Sequence, residues 1–205
     1  MKFSQRVEGI QPSATVAVGN KASMLRQKGI DIIDLSVGEP DFKTPENIVK
    51  VAKKSLDAGD HGYTSSKGIL ELRNAISRYF SSKCGLEYGS DEIIVTPGAK
   101  QALFEAIMTI IGEGDEAIVL TPAWVSYEPI ISMAGGKITR VDLEPYGFQL
   151  APAMSKLKEA ISSRTKLIVI NSPSNPTGAV YSREALEGVR DLVVDNDVMV
   201  ISDEI

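Results

Sequence analysis

From about residue 91 onward the chain alternates between two hydrophobic rhythms. Nearly all-apolar runs at 93–96, 117–120, 167–170 and 198–202, together with 137–143, read as strands, because strands covered on both faces show little polar alternation. Between them apolar residues recur at helical spacing. Leu103, Phe104, Ile107, Ile110 and Ile111 predict a helix over 101–111, and further helices are expected over 125–133, 153–161 and 183–194. Pro97-Gly98 closes the first strand and Gly135-Gly136 stops the second helix. Ser182 is an N-cap candidate for the last helix, with Glu184 and Glu187 in its first turns, where carboxylates favour the helix dipole. Strand–helix alternation of this kind predicts an α/β fold, a mostly parallel sheet with helices on both faces.

The first 90 residues lack that rhythm. A helix ending over 24–28 is stopped by Gly29, and a short strand is expected at 32–35. Gly38-Glu39-Pro40-Asp41-Phe42 is a loop by composition. Thr44 is the expected N-cap of the next helix with Pro45 at its first position, where the missing N–H costs nothing. Another amphipathic helix is expected over 69–80. The expected organisation is an N-terminal piece of a small domain over 1–40 and an incomplete large domain over 41–205.

Composition narrows the function classes. With 205 residues, 43% hydrophobic and 24% charged, the chain has the make-up of a globular protein with a substantial core. A net charge of −5 without a Lys/Arg block argues against nucleic-acid binding. Cys84 is the only cysteine and His61 the only histidine. No internal disulfide and no usual Cys/His zinc cluster can be assembled from them. Residues 1–10 carry charges and no apolar core of signal-peptide length, and no apolar run is long enough to span a bilayer. The expected compartment is the cytoplasm.

Several positions carry candidate chemistry. Asn175 and Asp203 each follow an apolar strand, and strand carboxyl ends are where α/β folds collect ligand-contacting side chains. A carboxylate such as Asp203 can hold a metal, orient a base or pair with a protonated ring nitrogen, or simply cap something local. An apolar run before Asp-Glu also resembles the Walker B element of P-loop nucleotide hydrolases, but the required G-x-x-x-x-G-K-[ST] loop is absent. At Thr96-Pro97-Gly98-Ala99-Lys100-Gln101 a strand ends, a glycine turn follows and a helix opens. That arrangement aims backbone N–H groups at one spot and suits a phosphate, although a plain strand–helix turn also calls for glycine. Trp124, the only tryptophan, follows a strand and can stack on a flat ligand or fill core. Tyr63 sits in a polar segment, placed to reach a ligand or a neighbouring subunit, or to cover a turn.

Together these segments resemble the class I, fold type I, pyridoxal-phosphate aminotransferases, and most closely the prokaryotic-type aspartate aminotransferases. The matching stretches are Asp34-Leu35-Ser36-Val37-Gly38-Glu39-Pro40-Asp41-Phe42-Lys43-Thr44-Pro45, Tyr63-Thr64, Gly68-Ile69 with Glu71-Leu72-Arg73, and Val95-Thr96-Pro97-Gly98-Ala99-Lys100-Gln101-Ala102-Leu103. They continue with Pro122-Ala123-Trp124-Val125-Ser126-Tyr127, Asn171-Ser172-Pro173-Ser174-Asn175-Pro176-Thr177-Gly178 and Ser202-Asp203-Glu204-Ile205. Their order along essentially the whole chain makes the resemblance specific.

The resemblance implies roles residue by residue. Gly98, Ala99 and Lys100 look like the cradle of the pyridoxal phosphate, Trp124 like the aromatic stacked on its ring, and Asn175 like the ligand of its 3′-oxygen. Asp203 looks like the partner of the pyridinium nitrogen, and Tyr63 like the residue that crosses a homodimer to the partner's phosphate. Gly38 looks like a backbone contact of the substrate α-carboxylate, with Trp124 and Asn175 also on the substrate side. Cis bonds are expected at Asn175-Pro176 and Thr121-Pro122. The implied substrates are an amino acid, aspartate foremost, and a 2-oxo acid. The family's Schiff-base lysine is expected beyond residue 205, so no catalytic residue is assigned within this chain. The expectation is therefore a fragment, inactive alone and less soluble than a longer form because its sheet edge is unpaired. The competing expectations are a truncated protein with weak or no cofactor binding, and a related lyase or synthase using the same cofactor.

Overall fold

The computed structural model describes residues 2–10, 14–36 and 38–204; Val37 and Ile205 of the matching stretches fall outside them. The helices and strands in chain order are α1 (Gln5–Glu8), α2 (Ala14–Gln27), α3 (Glu46–Asp57), α4 (Leu70–Tyr79), α5 (Ala99–Ile110), β1 (Glu116–Thr121), α6 (Tyr127–Met133), β2 (Lys137–Asp142), α7 (Met154–Ala160), β3 (Thr165–Asn171), α8 (Arg183–Asn196) and β4 (Met199–Asp203). They fall into two compact units, one of residues 1–17 with 103–205 and one of residues 18–102.

The first unit is built on a four-stranded sheet in the order β2-β1-β3-β4, parallel throughout. Side chains on a strand alternate between faces, and this sheet fills both. Ile118, Leu120, Ile168 and Ile170 pack on one face with Leu157 of α7 and with Ala185, Val189 and Leu192 of α8. Ala117, Val119, Leu167 and Val169 pack on the other with Leu103 and Ile107 of α5 and with Tyr127, Ile130 and Ile131 of α6. Helices on both faces of a parallel sheet are the α/β architecture expected from the pattern. Ser182 caps α8 as anticipated, its hydroxyl accepting from the Ala185 N–H at 3.2 Å. Gly135, at φ +89°, ends α6. A side chain at Gly136 would collide with Ile111 and meet Ile131 at 3.1 Å, so one of these side chains would have to shift to admit it. Cis bonds occur at Thr121-Pro122 and Asn175-Pro176, as expected, and also at Ser172-Pro173.

In the second unit two expected strands do not form. Residues 93–96 follow a 3-10 turn at Ser90–Glu92, and among the described residues their one backbone bond to a distant segment runs from the Val95 N–H to the Lys67 carbonyl at 3.0 Å. Ile94 is left 60% exposed. Residues 32–35 are held differently. The Asp34 carboxylate accepts from both the backbone N–H and the hydroxyl of Ser36, at 3.0 and 2.6 Å. Such local side-chain bonds compete with ladder pairing. At the start of α3, Pro45 occupies the N-cap position with no side-chain bond, displacing Thr44 by one residue. Gly29 follows α2 at φ +77°, and residues 38–42 form a loop. No helix among the described residues is long and apolar enough to cross a membrane.

Candidate functional site

Three strands of the first unit end near one another, and their last residues or the turns after them carry polar side chains. Asn171 and Asp203 are the final residues of β3 and β4 and stand in register as partners across the two strands. They share a face with Val169 and Ile201 by strand alternation, the face that α6 covers.

Tyr127 opens α6 on that face and is 1% exposed. Its phenol donates to Asp203 Oδ2 at 2.5 Å. Burial, then the hydrogen bond and negative charge of Asp203, push the Tyr127 phenol well above its ordinary range. It therefore stays a neutral donor at any working pH. The Trp124 ring meets Tyr127 edge-on, with centroids 5.4 Å apart and planes at 79°.

Asn171 links the other two strand ends. Its Nδ2 donates to the Asp203 carbonyl at 2.9 Å, while its Oδ1 accepts from the Asn175 N–H at 2.6 Å. The loop that follows is closed by the Gly178 N–H on the Ser174 carbonyl at 2.7 Å and by the Tyr181 N–H on Ser172 Oγ at 3.0 Å. A narrow cleft of about 10 Å³ opens among Pro122, Ala123, Tyr127, Asn171, Asn175 and Tyr181. Among the described residues nothing bonds Asp203 Oδ1 or the side-chain amide of Asn175. One carboxylate oxygen and one amide thus remain for a ligand.

Three of the residues singled out from the sequence, Trp124, Asn175 and Asp203, meet in this network. Tyr127 and Asn171 complete it and carried no assigned role in the sequence. The only signal for either was its presence in a matching stretch. The other candidates belong to the second unit. Gly98, at φ +88°, makes a tight turn before α5: its N–H donates to the Thr96 carbonyl at 2.7 Å, and the Thr96 hydroxyl donates to the Gly98 carbonyl at 2.9 Å. Ala99 and Lys100 are the first residues of α5. Tyr63 is fully exposed, and Gly38 lies exposed in its loop.

A both-faces-covered parallel sheet with polar side chains gathered at the carboxyl ends of its strands is the arrangement in which α/β proteins place their ligand sites. The chain belongs to the aminotransferase class I and II family, whose model matches residues 30–205. It is 46% identical to the aspartate/prephenate aminotransferase of Thermus thermophilus over 99% of this chain and 52% of the relative. It is 44% identical to the aspartate aminotransferase of Bacillus subtilis over 100% of this chain and 52% of that protein. Its fold superposes on the Thermus thermophilus aspartate aminotransferase solved with maleate at a TM-score of 0.95 and 46% identity, covering 100% of this chain and 53% of that one. The chain spans about half the length of the curated relatives it matches.

Proposed function

We propose that this chain carries the ring-binding residues of a pyridoxal-phosphate aminotransferase that moves an amino group between an amino acid, aspartate foremost, and a 2-oxo acid. Family members use pyridoxal phosphate, and the donor set at the strand ends fits that group. Asp203 Oδ1 is open to a protonated ring nitrogen, the Asn175 amide is open to the 3′-oxygen, and the Trp124 indole packs beside Tyr127. When bound, the cofactor supplies an electron-withdrawing ring that eases loss of the substrate α-proton.

The protein's part is to hold and orient. Asp203 keeps a proton on the ring nitrogen by offering it an anionic acceptor. Tyr127, held neutral, occupies the other oxygen and so turns Oδ1 toward the ligand. Asn175 donates its amide, and Trp124 limits water on one side of the ring. The turn at Gly98, Ala99 and Lys100 opens α5, a helix of 12 residues whose N-terminal N–H groups and dipole favour a phosphate. Exposed Tyr63 suits a contact across a homodimer, and the Gly38 backbone a contact with the substrate carboxylate. Residues 1–40 would belong to a small domain and 41–205 to the cofactor domain of a cytoplasmic enzyme.

The single observation that carries this reading is the Oδ1 of Asp203 at the end of β4, unbonded among the described residues, with Oδ2 already bonded. The test is an absorbance titration of the chain with pyridoxal phosphate. Saturable binding is expected, weakened about tenfold or more in Asp203→Ala, as for loss of a charged hydrogen bond. No saturable change, or equal affinity in the variant, sinks the reading.

A further inference from the structure

Asn171 has both arms of its amide engaged within the protein, yet it joins the two residues that keep a polar atom for a ligand. We propose that Asn171 is a positioning residue, a clip whose two amide arms set the Asn175 turn and the Asp203 strand end at one fixed spacing. The proposal rests on the ligand reading for its purpose, and on geometry for its substance.

The clip needs an amide and no other side chain. Oδ1 accepts from the Asn175 N–H at 2.6 Å, and Nδ2 donates to the Asp203 carbonyl at 2.9 Å. A planar carboxamide is the shortest group that presents one acceptor and two donors in fixed relation. Asn171 is 8% exposed, so water cannot readily replace either bond, and a lost partner leaves a polar backbone group unpaired. Asp203 loses little else that anchors its carbonyl, since the remaining bond, from the Ser172 N–H, is 3.4 Å long. Asn171↔Asp203 is the last register pair between β3 and β4 among the described residues, and there the Asn171 side chain adds a second bond to the Asp203 carbonyl.

Two substitutions separate the arms. Asn171→Asp keeps an acceptor for the Asn175 N–H but presents oxygen, not N–H, to the Asp203 carbonyl. Asn171→Leu matches the shape and removes both arms. The measurement is amide hydrogen exchange by nuclear magnetic resonance on the ligand-free chain, paired with pyridoxal-phosphate titrations. In Asn171→Leu the Asn175 amide should exchange about tenfold faster or more, while Val169 and Ile170 keep their protection. In Asn171→Asp the Asn175 amide should stay slow, with resonance shifts confined to Asp203 and Glu204. In the titrations, Asn171→Leu should weaken binding about tenfold, and its effect should be smaller, though not lost, when it is added to Asn175→Ala, because residues in one network couple while the Asp203 arm remains.

Unchanged exchange at Asn175 in Asn171→Leu overturns the clip. So does acceleration spread evenly over β3, which is the mark of general destabilisation. Failure of the unsubstituted chain to bind pyridoxal phosphate sinks the cofactor reading alone, because the exchange data decide the clip without any ligand.

Discussion

A buried carboxylate can be held as an anion by quite different neighbours, and Glu116 shows one case at the scale of the residue. It opens β1 at 7% exposure. The Ser162 hydroxyl donates to it at 2.6 Å and Arg164 Nε at 2.8 Å. Those bonds, Ser162 first, then Arg164, hold its carboxyl below the usual range against the opposing effect of burial. A carboxyl depressed in the folded state adds stability that is present above its unfolded pKa and lost as pH falls through the folded one. Glu116→Gln should therefore lower the melting temperature at neutral pH and flatten its decline toward acid, as followed by circular dichroism. An unchanged acid limb would show that Glu116 contributes nothing to it. Residue type and position for Asp203, Asn175 and Trp124 were legible because each follows an apolar run. The partner of Asp203 was not, since Tyr127 lies 76 positions away along the chain.

Elements were legible wherever burial and local spacing agree. In α8 the buried positions Ala185, Val189 and Leu192 form one stripe, and in β3 five successive residues from Leu167 to Asn171 are buried. Both patterns are local and survive in the text of the sequence. The expected strand at 93–96 has the same β-branched composition but lacks a neighbour to pair with among the described residues, and composition alone cannot supply one. The α6–β2 connection shows packing deciding a residue outright. At Gly136 a methyl group would strike Ile111 and press on Ile131, so Gly136→Ala should destabilise by about 1–3 kcal/mol, the usual cost of overpacking. Chemical denaturation measures this directly; a loss below the error of the midpoint would mean that the helix end yields.

For the molecule as a whole, apolar surface is distributed unevenly. In the second unit α3 is amphipathic yet contains no buried residue, and Ile48, Val51 and Leu56 are all more than half exposed. In the first unit Met199 on the edge strand β4 is 57% exposed. Exposed apolar patches and open strand edges promote association. Val51→Lys combined with Met199→Lys should raise solubility and reduce binding of a hydrophobic dye, with the circular dichroism spectrum unchanged. Equal dye binding would place the adhesive surface elsewhere.

By itself the sequence determined the α/β class, the strands and helices of the parallel sheet from β1 onward, and the family. It did so because alternation, helical spacing and ordered motifs are properties of neighbouring residues. Tertiary structure alone decided which polar groups find each other. Strand register sets Asn171 opposite Asp203, and α6 delivers the Tyr127 phenol to the same carboxylate. Those bonds join segments remote in the chain, and their geometry exists only once the sheet has closed around its core.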